Sequence, residues 1–381
     1  MAVRAQRDLC DRGIDDRREQ FLAGDDRYRA CRDRIGDTRN QYGDHGRLGS
    51  QVGMGRGGGR RTVDSRGRRG AMSSLTASGP MIAESSVARV PAVVGDLLRL
   101  TRPRIAVMIL VAVGASCFVA AWGAPDAGLL WSAVLGTGLV AASSSAANQW
   151  LERDTDALMR RTARRPIPAR RLAARHVFPF VALTGAGGLA WLAGAAGWSP
   201  AGWAALSWLL YVGAYTPLKR YSPWSTGIGA VAGALPVVVA WTAVGAPLGW
   251  RCGALFTWMF LWQFPHFMAV AWIHRDDYAR AGLRMMTVVD RSGVQAGVHA
   301  VLGSVAMIPV TLAPAIMVRT QGGAWIAAAA IVLGGLMLGA SFHFLFQRTL
   351  RSARLLLRVS LVYLPLMFAL LALTTVLGSW R

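Results

Sequence analysis

The chain has 381 residues, of which 53% are hydrophobic and only 16% charged, with a formal net charge of +22. Soluble domains carry about a quarter charged residues, so a soluble enzyme is excluded. A nucleic-acid binder spreads its basic residues over a polar face; here they fall between long apolar runs, which is the composition of a polytopic membrane protein with no nucleic-acid partner.

Residues 1–71 hold 17 Arg and 11 Asp or Glu and show almost no apolar periodicity. Such a stretch cannot bury enough surface to fold alone and reads as a disordered Arg/Gly-rich extension. Its acids argue against an organelle transit peptide, which is Arg-rich but acid-poor. We expect translation to begin at Met72 or Met81, with residues 72–103 forming a cytoplasmic segment and residues 104–381 the membrane domain. The four cysteines show no metal-binding spacing.

A spanning helix needs about 20 mostly apolar residues. Nine stretches qualify: 104–123, 127–147, 174–194, 199–217, 226–245, 250–273, 295–318, 323–346 and 355–378. The basic residues then segregate. Arg153, Arg160, Arg161, Arg164, Arg165, Arg170 and Arg171 follow the second stretch, and Lys219 and Arg220 the fourth. Arg275, Arg280, Arg284 and Arg291 follow the sixth, and Arg348, Arg351 and Arg354 the eighth. The intervening loops hold only Arg251 and Arg319. By the positive-inside rule the N-terminus is cytoplasmic and the C-terminus lies on the opposite face. An all-α bundle of nine spans is expected.

Residues 72–381 contain only nine carboxylates, and five of them fall in two short clusters. In the first, NQWLERDTDALMRRTARRPIP, Asn148, Glu152 and Asp156 are spaced i, i+4, i+8. On a helix they share one stripe, and Asp154 falls on the opposite side. Carboxylates without His or Cys suit a hard cation such as Mg²⁺, whose shell takes phosphate oxygens as well. Nearby arginines suit those same oxygens. The second cluster lies in FLWQFPHFMAVAWIHRDDYARAG, where His266 sits inside a span. An ionisable residue at that depth is a functional candidate by default, the alternative being a bond to a neighbouring helix.

The run N-x-x-x-E-x-x-x-D resembles the first signature of the UbiA superfamily of intramembrane prenyltransferases, with Glu152 at its middle position. WQFPHF followed by DDYxxAG is similar to the version found in the branch of that family that prenylates haem. Where other members carry a second D-x-x-x-D, this chain has His274 and Tyr278 flanking Asp276 and Asp277. The resemblance implies farnesyl diphosphate as donor, haem b as acceptor, and Mg²⁺ held by Asn148, Glu152 and Asp156. It implies catalytic roles for those three together with Lys219, Asp276 and Asp277. Arg161, Arg164, Arg165, Tyr215, Arg220, His266, His274, Arg275 and Tyr278 become substrate contacts. It further implies a bacterial inner-membrane location and a product passed to a haem A synthase or to terminal oxidase assembly. An aromatic or quinone-precursor acceptor within the same fold is the first alternative. A transporter is the second, and it would place its charges near mid-membrane rather than at the cytoplasmic ends.

Because residues 1–71 lack both a core and a motif, their deletion is expected to leave membrane insertion and turnover unchanged. Loss of either in the truncated protein would assign the extension a role.

Overall fold

The computed structural model describes residues 89–317 and 321–379; the extension 1–71 and residues 72–88 lie outside the described residues. Among the described residues the chain is helical, without a strand. The first helix, α1 (Arg89–Leu100), is amphipathic, burying Asp96 and Leu100 while Val94 and Leu98 stay exposed. It stops because Arg102 precedes Pro103. Proline's ring bars the residue before it from the helical region, and Arg102 adopts φ 50°, ψ 67°. Pro103 then opens α2 (Pro103–Ala120), at the position where its missing N–H costs nothing. Asp126 caps α3 (Ala127–Leu151) by accepting from the Leu129 amide at 2.9 Å. A short α4 (Arg153–Leu158) follows directly.

Next come α5 (Ala174–Ala196) and α6 (Trp198–Trp208), the latter widening into a π-helical turn over Leu209–Tyr215 and ending in α7 (Thr216–Leu218). The remaining long helices are α8 (Ser225–Ala243), α9 (Trp250–Ile273), α12 (Val294–Met317), α13 (Gln321–Gln347) and α14 (Leu350–Ser379). Two short helices, α10 (Arg275–Arg280) and α11 (Met286–Val289), lie between α9 and α12.

Each of the nine stretches expected to span is helical, but seven helices among the described residues are long and apolar enough to cross a membrane. The two others are the α6–α7 stretch and α9. The first is interrupted by its π-turn. The second is rich in tryptophan and carries Gln263 and His266. These polar groups find partners inside the protein: Trp258 Nε1 donates to Tyr363 Oη at 3.0 Å, and Gln263 Nε2 to the Ala230 carbonyl at 2.8 Å. In hydrocarbon every such group must be satisfied internally, so α9 is built to face other helices.

Sequential helices pack side by side, and α14 returns onto α2, closing the bundle. The central helix is α8, 72% buried in its apolar window, against 17–39% for the other six. Those six present side chains such as Leu183 and Leu336 outward. In water such a surface would aggregate; against lipid tails it is ordinary solvation. The core is aromatic where α9 meets α14, with Trp258 and Phe368 ring centroids 4.8 Å apart.

Gly293, which leads into α12, has φ 75°, and a Cβ there would collide with the Trp272 ring at the end of α9. Gly293→Ala should therefore destabilise the protein by about 1–3 kcal/mol, seen as a lower melting temperature in detergent. An unchanged melting temperature would show that the turn relaxes freely.

Candidate active site

The end of α3 brings the first acidic cluster together. Asn148, Glu152 and Asp156 are all buried, at 0%, 8% and 1% exposure, while the Asp154 side chain is 77% exposed beside Arg153. The expected phase is therefore present, although not on one uninterrupted helix. Glu152 is the junction residue, with φ −91° and ψ 5°, ending α3 and starting α4. The Glu152 amide still donates to the Asn148 carbonyl at 2.9 Å, and the Asp156 amide to the Glu152 carbonyl at 2.7 Å. These i to i−4 bonds carry the stripe across the bend.

Cations from three other segments meet this stripe. Lys219 Nζ lies 2.7 Å from Glu152 Oε1 and 4.1 Å from the centroid of the Tyr215 ring. Arg165 Nη1 lies 2.6 Å from Asp156 Oδ2. Arg102 Nη2 donates to Asn148 Oδ1 at 3.0 Å, and Asn148 Nδ2 donates to Thr216 Oγ1, also at 3.0 Å. The π-turn places Thr216, whose hydroxyl donates back to the Tyr211 carbonyl at 2.8 Å. Gly229 on α8 has no Cβ where the Tyr215 ring lies against it.

The electrostatics follow from this crowding. Burial alone would raise the Glu152 carboxyl, but the Lys219 ammonium, helped by Arg102, outweighs it and holds Glu152 below its ordinary value. Burial works equally against the Lys219 charge, and the Tyr215 hydroxyl and Glu152 override it, so Lys219 is raised. Burial and the neighbouring Arg102 lower Arg165 against the pull of Asp156. Three cations thus face two carboxylates in an enclosed space, an imbalance that an anion would correct.

One oxygen is left over: Asp156 Oδ1 is buried and has no hydrogen-bond partner. No group of three His, Cys, Asp or Glu side chains converges among the described residues. Two carboxylates and an amide are nevertheless a donor set that fits Mg²⁺, because that ion keeps waters and phosphate oxygens for the rest of its shell.

The second cluster serves largely to join loops. Asp277 Oδ1 accepts from the Arg160 amide at 3.3 Å and is paired with Arg280. Met159 is buried against Ala281, Leu283 and Met285, with Tyr278 packed beside them. The Arg284 amide donates to the Lys219 carbonyl at 2.8 Å. Asp276 is 85% exposed and 3.7 Å from Arg275, whose guanidinium lies over the Trp272 ring. The His274 ring meets Tyr278 edge-on, and burial together with Arg161 lowers its pKa against Asp277. Arg161, Arg164 and Arg220 are exposed and make no contact with the carboxylates. His266 lies apart from the acidic stripe, within α9.

Two participants were not anticipated from the sequence, Arg102 and Thr216. An arginine directly before a proline at the start of a span is a legible signal for the first. Nothing local marks the second.

A family model described as the UbiA prenyltransferase family matches residues 107–371. The chain belongs to this family. A protein named protoheme IX farnesyltransferase from Koribacter versatilis is 38% identical over 291 residues, 73% of this chain and 92% of its own length. Another of the same name from Rhodopirellula baltica is 40% identical over 289 residues, 71% of this chain and 96% of its own. Among solved structures, a UbiA homologue from Archaeoglobus fulgidus bound to DMAPP and Mg²⁺ superposes with a TM-score of 0.55 at 16% identity. It covers 74% of this chain and 99% of that one, a likeness of fold. The protein is accordingly a multi-pass membrane prenyltransferase.

Glu152→Ala and Asp156→Ala should each lower turnover by at least about 100-fold, the scale of losing one charged contact at a reacting centre, with insertion intact. Asp154→Ala should leave turnover essentially unchanged, because its side chain points away. Equal losses in all three variants, measured in the same membranes, would refute the buried stripe as the reacting face.

Proposed function

We propose that the protein transfers the farnesyl group of farnesyl diphosphate to a vinyl group of protohaem IX, haem b, giving haem O and diphosphate. The observation that carries this reading is the meeting of Asn148, Glu152 and Asp156 with Arg102, Arg165 and Lys219 at one helix junction. It occurs in a chain whose relatives, matched over nearly their whole length, are named protoheme IX farnesyltransferase.

In this mechanism Asn148, Glu152 and Asp156 would hold Mg²⁺, the last through its unpartnered Oδ1. A cation bound there neutralises the diphosphate and makes it a better leaving group. Lys219, Arg165 and Arg102 bind the remaining diphosphate oxygens and stabilise the negative charge as the carbon–oxygen bond breaks. The electron pair leaves with diphosphate. The vinyl π electrons attack the allylic cation, forming the new carbon–carbon bond. Water adds to the resulting carbocation beside the porphyrin and loses a proton, which completes the hydroxyethylfarnesyl group. The apolar cluster of Met159, Leu283 and Met285 beside the junction keeps bulk water from quenching the cation early.

The two more polar helices, α6–α7 and α9, complete nine spans in this reading, with the site at the cytoplasmic face of the inner membrane and the C-terminus opposite. Residues 1–71 stand outside the enzyme domain. A haem A synthase or a terminal oxidase assembly would receive the product.

Membranes containing the protein, supplied with farnesyl diphosphate, Mg²⁺ and haem b, should yield a haem heavier by a farnesyl and a hydroxyl group in mass spectrometry. Unmodified haem, together with prenylation of an added aromatic acid, would move the acceptor to the other branch of the family.

A further inference from the structure

Helix α9 carries a polar group that the diphosphate site does not use. His266 lies two turns inside His274, about 12 Å along the axis at the rise of an α-helix. Its Nδ1 is 3.0 Å from Ser360 Oγ on α14. Ser360 Oγ is also 2.8 Å from the Leu357 carbonyl oxygen. A carbonyl only accepts, so the single hydroxyl proton goes to Leu357. Towards His266, Ser360 Oγ can then only accept, which puts the ring proton on Nδ1 and the lone pair on Nε2.

Nε2 makes no hydrogen bond to any described residue. The ring sits within α9 against α14 and keeps part of its surface accessible. Trp262, one turn earlier, stacks on it with centroids 5.0 Å apart and planes 24° from parallel. The Trp262 Nε1 donates to the Ser360 carbonyl at 2.9 Å, fixing the same residue a second time. Both the orientation and the tautomer of His266 are therefore set from α14.

We propose that His266 Nε2 is the axial ligand of the iron of the acceptor haem, and that Ser360 is the positioning residue that holds the ring in its ligating tautomer. The proposal rests on haem as the acceptor. A neutral imidazole whose other N–H is held by a protein oxygen is how metal-ligating histidines are fixed, and imidazole is a common proximal ligand of haem iron. The neighbouring Gln263 is buried towards α8, its Nε2 donating to the Ala230 and Met259 carbonyls and its Oε1 lying against Gly233. The ligand bond would anchor the porphyrin plane below the diphosphate site while the vinyl group reacts at its edge.

The test is a titration of the purified full chain with ferric protohaem, read by the Soret band, with farnesyl diphosphate binding as the check on folding. His266→Ala should lose the imidazole-ligated band and bind protohaem at least about tenfold more weakly, with farnesyl diphosphate affinity unchanged. Added imidazole should restore the band in His266→Gly. Ser360→Ala should weaken protohaem binding by about tenfold, and Ser360→Thr, which keeps the hydroxyl, should recover it. A His266→Ala protein with the wild-type spectrum overturns the ligand assignment, whether or not turnover is lost; if it still farnesylates haem, the acceptor reading stands. Parallel loss of both substrates' binding would make His266 a structural pin, which also overturns the proposal. A wild-type protein that neither binds nor converts protohaem overturns the acceptor reading with it.

Discussion

The Asn148 amide holds the site together. Its oxygen accepts from Arg102 at the start of α2, and its nitrogen donates to Thr216 at the end of the π-turn. One side chain at the end of α3 thus fixes the relative positions of three chain segments that meet at the same face. Everything charged in the site depends on that arrangement. Glu152 and Asp156 follow Asn148 at successive turns, and Lys219 follows Thr216 by three residues. If the amide were absent, a buried guanidinium and a buried hydroxyl would each lose a partner, at a cost of about 1–3 kcal/mol apiece or more for the charged group.

The site carries strain as well as charge. Arg102 occupies the left-handed region, which few non-glycine residues visit, and its Nε is buried without a partner. Asp156 Oδ1 is likewise unpartnered. Unsatisfied buried polar atoms are rare in folded proteins, and here two of them lie in one charged cluster. A guanidinium nitrogen and a carboxylate oxygen are complementary to the two halves of a metal diphosphate: one donates to phosphate oxygens, the other binds the cation. The loops that cover the cluster are joined by Asp277 to the Arg160 backbone and by Arg284 to the Lys219 backbone. The second acidic segment therefore contributes mainly by setting where the first one lies.

The contact between α9 and α14 obeys a different constraint. Along α9 polar side chains are tolerated only where another helix satisfies them, and α14 supplies the Ser360 and Tyr363 partners of Trp258, Trp262 and His266. The hydrocarbon environment that makes these bonds obligatory also makes them directional.

The helices, their ends and the acidic stripe were legible in the sequence because they rest on local rules. Apolar runs of spanning length stop at charges, and the spacing of Asn148, Glu152 and Asp156 sets their common face through the turn of the helix. The outward placement of Asp154 follows from the same periodicity. What only the tertiary structure decided is which cation meets which carboxylate. Arg165 and Lys219 engage Asp156 and Glu152, Arg164 and Arg220 stay exposed, and Arg102 enters from a segment 46 residues before Asn148. Sequence spacing carries no information on contacts between distant segments. Those are chosen by the packing of whole helices, and the π-turn in the fourth expected span, which turns Thr216 towards Asn148, has no local signature. The tautomer of His266 is of the same kind, since it depends on a hydroxyl proton donated within another helix 94 residues away.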